Sequence, residues 1–159
     1  MAAREATGEG AIPLARLMAM AFRTLMDNLH ARLAQHGWKD VRPAYGYVLL
    51  AARDSPITVT SIAALLGMTK QAASKLAESI VSDGYLLRGD HPEDARSKRL
   101  RLSAKGARLL AVVESIYAEL EAEWATIIGR AGVERMRSDL TRTLRSLHGD
   151  KLPAIRPTW

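Results

Sequence analysis

Residues 58–84 read TVTSIAALLGMTKQAASKLAESIVSDG. Thr58 stands where an N-cap hydroxyl would satisfy the free amides of a helix carrying Ile62, Ala63, Leu65 and Leu66. Gly67 ends that helix in the left-handed geometry glycine tolerates best. Only a tight turn fits before Thr69, which can cap a second helix, Lys70 to Asp83, closed in its turn by Gly84. Two short helices around a glycine-containing turn have the layout of a helix-turn-helix.

The second helix is two-faced. Advancing about 100° per residue, Lys70, Gln71, Ser74, Lys75, Glu78, Ser79 and Ser82 fall within one half of the circumference, interrupted only by Val81. Ala72, Ala73, Leu76, Ala77 and Ile80 occupy the other half. Such a helix docks through small residues and offers amide, hydroxyl and ammonium groups outward, which suit base edges and phosphates. Lys70 and Gln71 lie in the first turn, where recognition helices read bases. Lys70, Gln71, Ser74, Lys75 and Ser79 are therefore the candidate DNA contacts of this helix. Standing alone, it would read equally well as a solvated surface helix.

It does not stand alone. Residues 85–88, Tyr-Leu-Leu-Arg, precede a polar stretch from Gly89 to Ser97 and then Lys98, Arg99, Leu100, Arg101 and Leu102, which predicts a β-hairpin with a long charged tip. Strand alternation sends Arg99 and Arg101 to one face and Leu100 and Leu102 to the other. A tip arginine, Arg96, matches the negative potential of a narrow minor groove, while its cationic neighbours meet the phosphate backbone. Asp94, two residues away, could orient that guanidinium by a charge-assisted bond.

On the flanks, apolar residues recur at helical spacing from Ile12 to about Gln35, through Leu14, Leu17, Met18, Ala21, Phe22, Leu25, Met26, Leu29 and Leu33. Pro43 opens a helix to about Arg53, and Asp54-Ser55-Pro56 breaks the chain. Ser103 caps a helix to about Ile128, with Leu109, Leu110, Val112, Val113, Ile116, Tyr117 and Leu120 on its apolar side. Gly129 and Gly132 are expected to separate it from a last helix, Val133 to Leu147. Helices this rich in Leu and Met at both ends expose more apolar surface than one small winged unit can cover.

With Asp94, Arg96, Ser97, Leu100, Leu102, Ser103 and Gly106 in register, and with Thr58, Ile62, Ala63, Leu66, Gly67, Ile80 and Gly84 upstream, the chain resembles the MarR family of transcriptional regulators. The specific pattern spans about 50 residues; Arg42-Pro43 and the flanking helices extend it more loosely over nearly the whole chain. The resemblance implies a mainly α fold with a small β-hairpin wing. It makes residues 1–159 a single domain, 43–103 the winged helix-turn-helix, and 11–36 with 104–148 the dimerisation helices. It also implies a homodimer whose two winged parts face successive major grooves, an Asp94–Arg96 pair holding the wing tip, and DNA contacts from Asp94, Arg96, Ser97, Lys98 and Arg99. Many members of the family bind small aromatic or phenolic anions between the dimer helices and the winged part. His36, Trp38, Arg42, Tyr45 and Tyr47 form the aromatic and cationic cluster nearest that junction, where stacking and charge pairing could hold such a ring. Packing with wet polar tips is the more common role of such residues and outweighs the pocket reading.

Composition sets the outer bounds. The chain has 159 residues, net charge +6 and no cysteine, which excludes disulfides, thiolate metal sites and thiol redox sensing. The cationic excess is largest between residues 51 and 109, with ten Lys and Arg against six Asp and Glu. No run approaches the roughly 18 apolar residues of a membrane span, and residues 1–10 lack the order of a signal peptide, so a cytoplasmic protein without a membrane partner is expected. His30, His36, His91 and His148 lack metal-ligand spacing, and Glu114, Glu119, Glu121 and Glu123 scatter around a helix as a solvated face. No phosphate loop or nucleophile elbow is present, so neither a cofactor, a metal nor an enzyme is expected. The expectation is a sequence-specific binder of double-stranded DNA, a repressor in sense, released by a small aromatic ligand if it answers to one. Its rivals are a winged protein-interaction module and a sequence-indifferent architectural DNA binder.

Overall fold

The computed structural model describes residues 11–89, 99–153 and 155. The element order is α1 (Leu14–Gln35), α2 (Pro43–Ala51), α3 (Val59–Leu66), α4 (Lys70–Ser82), β1 (Leu86–Gly89), β2 (Arg99–Leu102), α5 (Ala104–Ile128) and α6 (Arg130–Leu147).

The helix ends follow their caps. Thr58 Oγ1 accepts from the Ser61 amide at 3.1 Å and the Ser61 hydroxyl oxygen accepts in turn from the Thr58 amide, a reciprocal capping box. Gly67 closes α3 at φ +63°, and Thr69 Oγ1 accepts from the Ala72 amide at 3.2 Å to start α4. Proline at the first position of α2 matches the expected start. That helix ends at Ala51, two residues short of the expected Arg53, because the chain turns there to bring Ile57 beside β2. Ile57 and Leu100 exchange backbone hydrogen bonds of 2.9 and 2.7 Å, which adds a one-residue third rung to the hairpin.

β1 and β2 are antiparallel, with Leu86 opposite Leu102 and Gly89 opposite Arg99. Leu86 and Leu100 point inward to join Leu33, Tyr45, Val48, Leu49, Ile62, Ile80, Leu109 and Ile116 in one core. The wing is thus anchored to the same apolar cluster that holds α3 and α4.

One boundary differs from expectation. Gly129, at φ +76°, alone separates α5 from α6; Gly132 lies inside the first turn of α6 in ordinary helical geometry. A glycine reads as a breaker in sequence, but here its missing side chain leaves room for Ile128, whose Cβ would stand 3.3 Å from an added methyl. Glu114, Glu119, Glu121 and Glu123 are exposed as expected, yet each meets an arginine. Arg32 bridges to Glu119 and Glu123, Arg53 to Glu114 at 3.1 Å, and Arg137 to Glu121 at 2.7 Å. Solvent-exposed pairs of this kind contribute about 0 to 1 kcal/mol each, so they orient α1 and α6 on α5 more than they stabilise them.

Apolar surface remains uncovered. No residue of α6 is buried, and Met136, Leu140 and Leu147 are exposed. On α1 only Leu29 and Leu33 are buried, while Leu14, Leu17, Met18, Met20 and Phe22 face outward.

Candidate nucleic-acid interface and adjoining cavity

α4 buries Ala73, Ala77 and Ile80 at the spacing of one helical stripe and turns Lys70, Gln71 and Lys75 to the exterior. Ser74 and Ser79 are half-buried: the Ser74 hydroxyl reaches Glu78 Oε1 at 3.4 Å and the Ser79 hydroxyl donates to the Lys75 carbonyl at 3.2 Å. Ser79 also lines a cleft of about 860 Å³ with Lys39, Arg42 and Asp83, on the flank of the helix rather than at its tip. Ala72, assigned by angle to the packed half, is exposed, because the first turn of α4 stands clear of the core. An exposed alanine beside Lys70 and Gln71 leaves the approach to that turn unobstructed.

The wing adds charge beside this helix. Arg99 and Arg101 are exposed on the face opposite Leu100, as strand alternation requires. Gly89, across from Arg99, has no side chain in the way of Arg101, whose Nε would lie 3.3 Å from an added Cβ. The glycine therefore lets the guanidinium lie across the strand. Asp94, Arg96, Ser97 and Lys98, and with them the Asp94–Arg96 pair, lie outside the described residues.

The turn that ends α4 is a joint between four elements. The Tyr45 hydroxyl, on α2, donates to Asp83 Oδ2 at 2.6 Å. Lys105, on α5, donates to the Asp83 carbonyl at 2.6 Å and places its ammonium 4.5 Å from the Tyr85 ring centroid. Ser103 Oγ, which caps α5 by accepting from the Gly106 amide, donates to the Gly84 carbonyl at 2.6 Å. Tyr85 packs edge-on against Tyr45, with centroids 5.8 Å apart, and tilted against Trp38. Burial, then the bond to Asp83, push the Tyr45 hydroxyl up to about 12. None of the residues that fix this joint, apart from Tyr45 and Trp38, stood out as a site in sequence.

The expected ligand cluster does not converge. Tyr45 and Tyr47 are two positions apart on α2, about 200° around the helix, and so face opposite ways. Tyr45 is 1% exposed and committed to the joint; Trp38 packs on Tyr85; His36 is exposed at the end of α1, beside Arg32 and Glu119. Arg42 and Tyr47 do line a cavity of about 310 Å³ between α1, α2 and α5, together with Met26, His30, Val113 and Tyr117. His30 Nε2 is buried there with no hydrogen-bond partner among the described residues. Burial lowers the pKa of His30, against an opposing effect of Asp27, and pushes the Tyr117 hydroxyl up to about 12. Among the described residues no three His, Asp or Glu side chains converge as metal ligands would, and no helix is long and apolar enough to cross a membrane.

Two capped helices about a glycine turn, followed by an antiparallel hairpin packed on the same core, define a winged helix-turn-helix protein. Residues 39–97 match the family model described as "MarR family". Over 98 residues the chain is 33% identical to the exopolysaccharide II synthesis transcriptional activator ExpG of Rhizobium meliloti (strain 1021), a match that covers 62% of this chain. The chain spans about half the length of that relative, at 50%. The reduced form of MarR from E. coli superposes with a TM-score of 0.73 at 23% identity, covering 86% of this chain and 99% of that one. A mutant of S. aureus MepR bound to oligodeoxyribonucleotide gives 0.59 at 24% identity, covering 86% and 99%. The transcriptional regulator Tm0710 from Thermotoga maritima gives 0.63 at 20% identity, covering 87% and 98%. Residues 39–97 are thus similar to the MarR family, and the chain shares the fold of these solved regulators over most of its length.

Proposed function

We propose that the protein is a sequence-specific regulator of transcription that binds duplex DNA as a homodimer and acts by binding, not catalysis, in the cytoplasm. The observation that carries this reading is the first turn of α4, where Lys70 and Gln71 stand exposed, in a chain whose wing also turns Arg99 and Arg101 outward. Gln can pair bidentately with adenine and Lys with guanine acceptors, while the arginines meet phosphate. Asp94, Arg96, Ser97 and Lys98 complete the proposed wing contacts, and Ser74, Lys75 and Ser79 those of the helix. The dimer forms through residues 11–36 and 104–148, where the exposed stripes of α1 and α6 supply the apolar area a partner would cover. Residues 43–103 then form each DNA-binding part of a single domain.

The sense we propose is repression; the relative ExpG carries the word activator, so a reporter with the bound site upstream of or across a promoter tells the two apart. Release by a small aromatic ligand belongs, in this reading, at the 310 Å³ cavity, with Arg42 and Tyr47 on its wall.

The deciding experiment is selection of the purified protein on a random duplex library, with the enriched sequence then bound across salt concentrations. The expected result is an inverted repeat with half-sites about 10 base pairs apart and a steep salt slope. Salt-sensitive binding with no enrichment would replace this reading with an architectural one, and no binding with a protein-interaction module. Sedimentation of the free protein, expected at twice the chain mass, tests the dimer separately.

A further inference from the structure

We propose that Lys105 is a positioning residue for the recognition helix: its ammonium clasps the C-terminal end of α4 and fixes the angle at which Lys70 and Gln71 meet duplex DNA. The proposal rests on the DNA-binding reading above and adds the residue that sets the geometry of that site.

Where a helix stops, its last carbonyls lack partners and carry partial negative charge, which a cation satisfies well. No basic residue stands in the last turn of α4. Within the turn that follows, the Tyr85 amide donates to the Ile80 carbonyl at 3.0 Å and the Gly84 amide to the Val81 carbonyl at 2.9 Å. The carbonyls of Asp83, Gly84 and Tyr85 are taken by the start of α5. Lys105 Nζ donates to that of Asp83 at 2.6 Å, Ser103 Oγ to that of Gly84 at 2.6 Å, and the Ser103 amide to that of Tyr85 at 3.1 Å. Of these donors Lys105 alone brings a charge. The same ammonium stands 4.5 Å from the Tyr85 ring centroid, and that ring rests on Tyr45 and Trp38. Asp83 is thus held from two sides, its carboxylate by Tyr45 of α2 and its carbonyl by Lys105 of α5.

The clasp sits where two rigid parts meet. α5 has 25 residues, roughly 37 Å of helix, and packs along α1 and α6, the helices through which the proposed dimer forms. Its first turn lies flush on the end of α4, for a Cβ at Gly106 would stand 2.2 Å from the Tyr85 carbonyl oxygen. α4 therefore takes its angle from the dimer frame. Lys105 is itself exposed, so its bonds add little to folding stability while they restrict how the end of α4 tilts. Base readout needs a fixed angle, whereas attraction to phosphate does not. A protein whose binding-competent form is only partly populated binds more weakly by that fraction. With the unclasped α4 correctly set about one third of the time, the loss is about threefold per protomer and about tenfold for a dimer.

The test compares wild type, Lys105→Met and Lys105→Arg as full chains. Methionine keeps an alkyl stem on Tyr85 without donor or charge, and arginine keeps both. Each is bound to the selected duplex and to an unrelated duplex of the same length across salt concentrations, and amide exchange at Gly84, Tyr85 and Ser103 is followed in the free protein. Lys105→Met is expected to bind the selected duplex about tenfold more weakly and to keep its salt slope. Its affinity for the unrelated duplex should stay within about twofold, and those amides should exchange severalfold faster. Lys105→Arg should recover most of the lost affinity, and melting should move by less than about 3 °C in either variant. An equal loss on both duplexes with a shallower salt slope would make Lys105 a phosphate contact and overturn the proposal. Unchanged affinity for the selected duplex, or a Lys105→Arg variant that behaves as Lys105→Met, would overturn it too, as would a larger melting shift with exchange raised throughout the chain. If wild type itself binds no duplex selectively, the DNA-binding reading fails on its own account. The exchange rates then judge the clasp alone: faster exchange in Lys105→Met upholds it and unchanged exchange overturns it.

Discussion

Replacing Tyr45 with Phe deletes one hydroxyl at the joint below the recognition helix and leaves the ring against Tyr85 in place. That hydroxyl donates to Asp83 Oδ2 at 2.6 Å, and a hydrogen bond to a charged group is worth about 1.5 to 3 kcal/mol. Asp83 is half-buried, so its carboxylate regains water once the donor is gone, which places the loss near the lower end, about 1.5 kcal/mol. For a chain of this length that is roughly 3 to 6 °C in melting temperature. The reverse truncation is not equivalent. Asp83→Ala strands the Tyr45 hydroxyl at a site only 1% exposed, and a buried donor without an acceptor costs the fuller desolvation penalty, about 2 to 3 kcal/mol. The assay is urea unfolding followed by far-UV circular dichroism, at one fixed protein concentration because dimerisation would otherwise shift the midpoint. The double variant should cost less than the two single losses added. A Tyr45→Phe loss under about 0.5 kcal/mol, or one exceeding that of Asp83→Ala, would refute the reasoning.

Gly106→Ala would place a Cβ 2.2 Å from the Tyr85 carbonyl oxygen and 2.8 Å from Leu102 Cδ1, a clash with backbone that requires α5 to leave β1. It should cost more than about 3 kcal/mol or prevent folding, as read by thermal melting and soluble yield. Alkali should destabilise the protein between pH 10 and 12. Tyr45 and Tyr117 are pushed up to about 12 from 10.0, so the unfolded chain loses these protons first; stability is full below pH 10 and falls as pH rises through that window. Phenylalanine at either position should flatten the slope of unfolding free energy against pH there. Gln71→Ala should relax preference at one base position by about 1 to 3 kcal/mol and leave the others intact, measured by competition among single-base variants of the selected site. Unchanged preference at every position would remove Gln71 from the reading role.

The helix-turn-helix and wing could be read from the chain because local chemistry sets them. Thr58, Thr69 and Ser103 cap the helices they precede, and the alternation of Arg99, Leu100, Arg101 and Leu102 fixes which wing face packs, before any distant contact is known. Gly132 misled because a glycine's meaning depends on its dihedral angles and its neighbour, here Ile128, which composition does not carry.

The ligand cluster is divided between two faces of α2 for a geometric reason that the sequence did contain. Ala44, Tyr45, Val48 and Leu49 repeat at one-and-four spacing on α2 and mark its buried face, which assigns Tyr45 to the core and Tyr47 to the other side. His30 is different in kind. On α1 it sits next to Leu29 in a stripe of ordinary amphipathic spacing, and nothing local separates it from a solvated histidine. It becomes a buried, unmatched group only when α2 and α5 close over α1 and leave space between them. That space is set by residues some 10 to 90 positions away in the chain, so the contacts that give His30 its chemistry are tertiary, and only the packed structure brings them together.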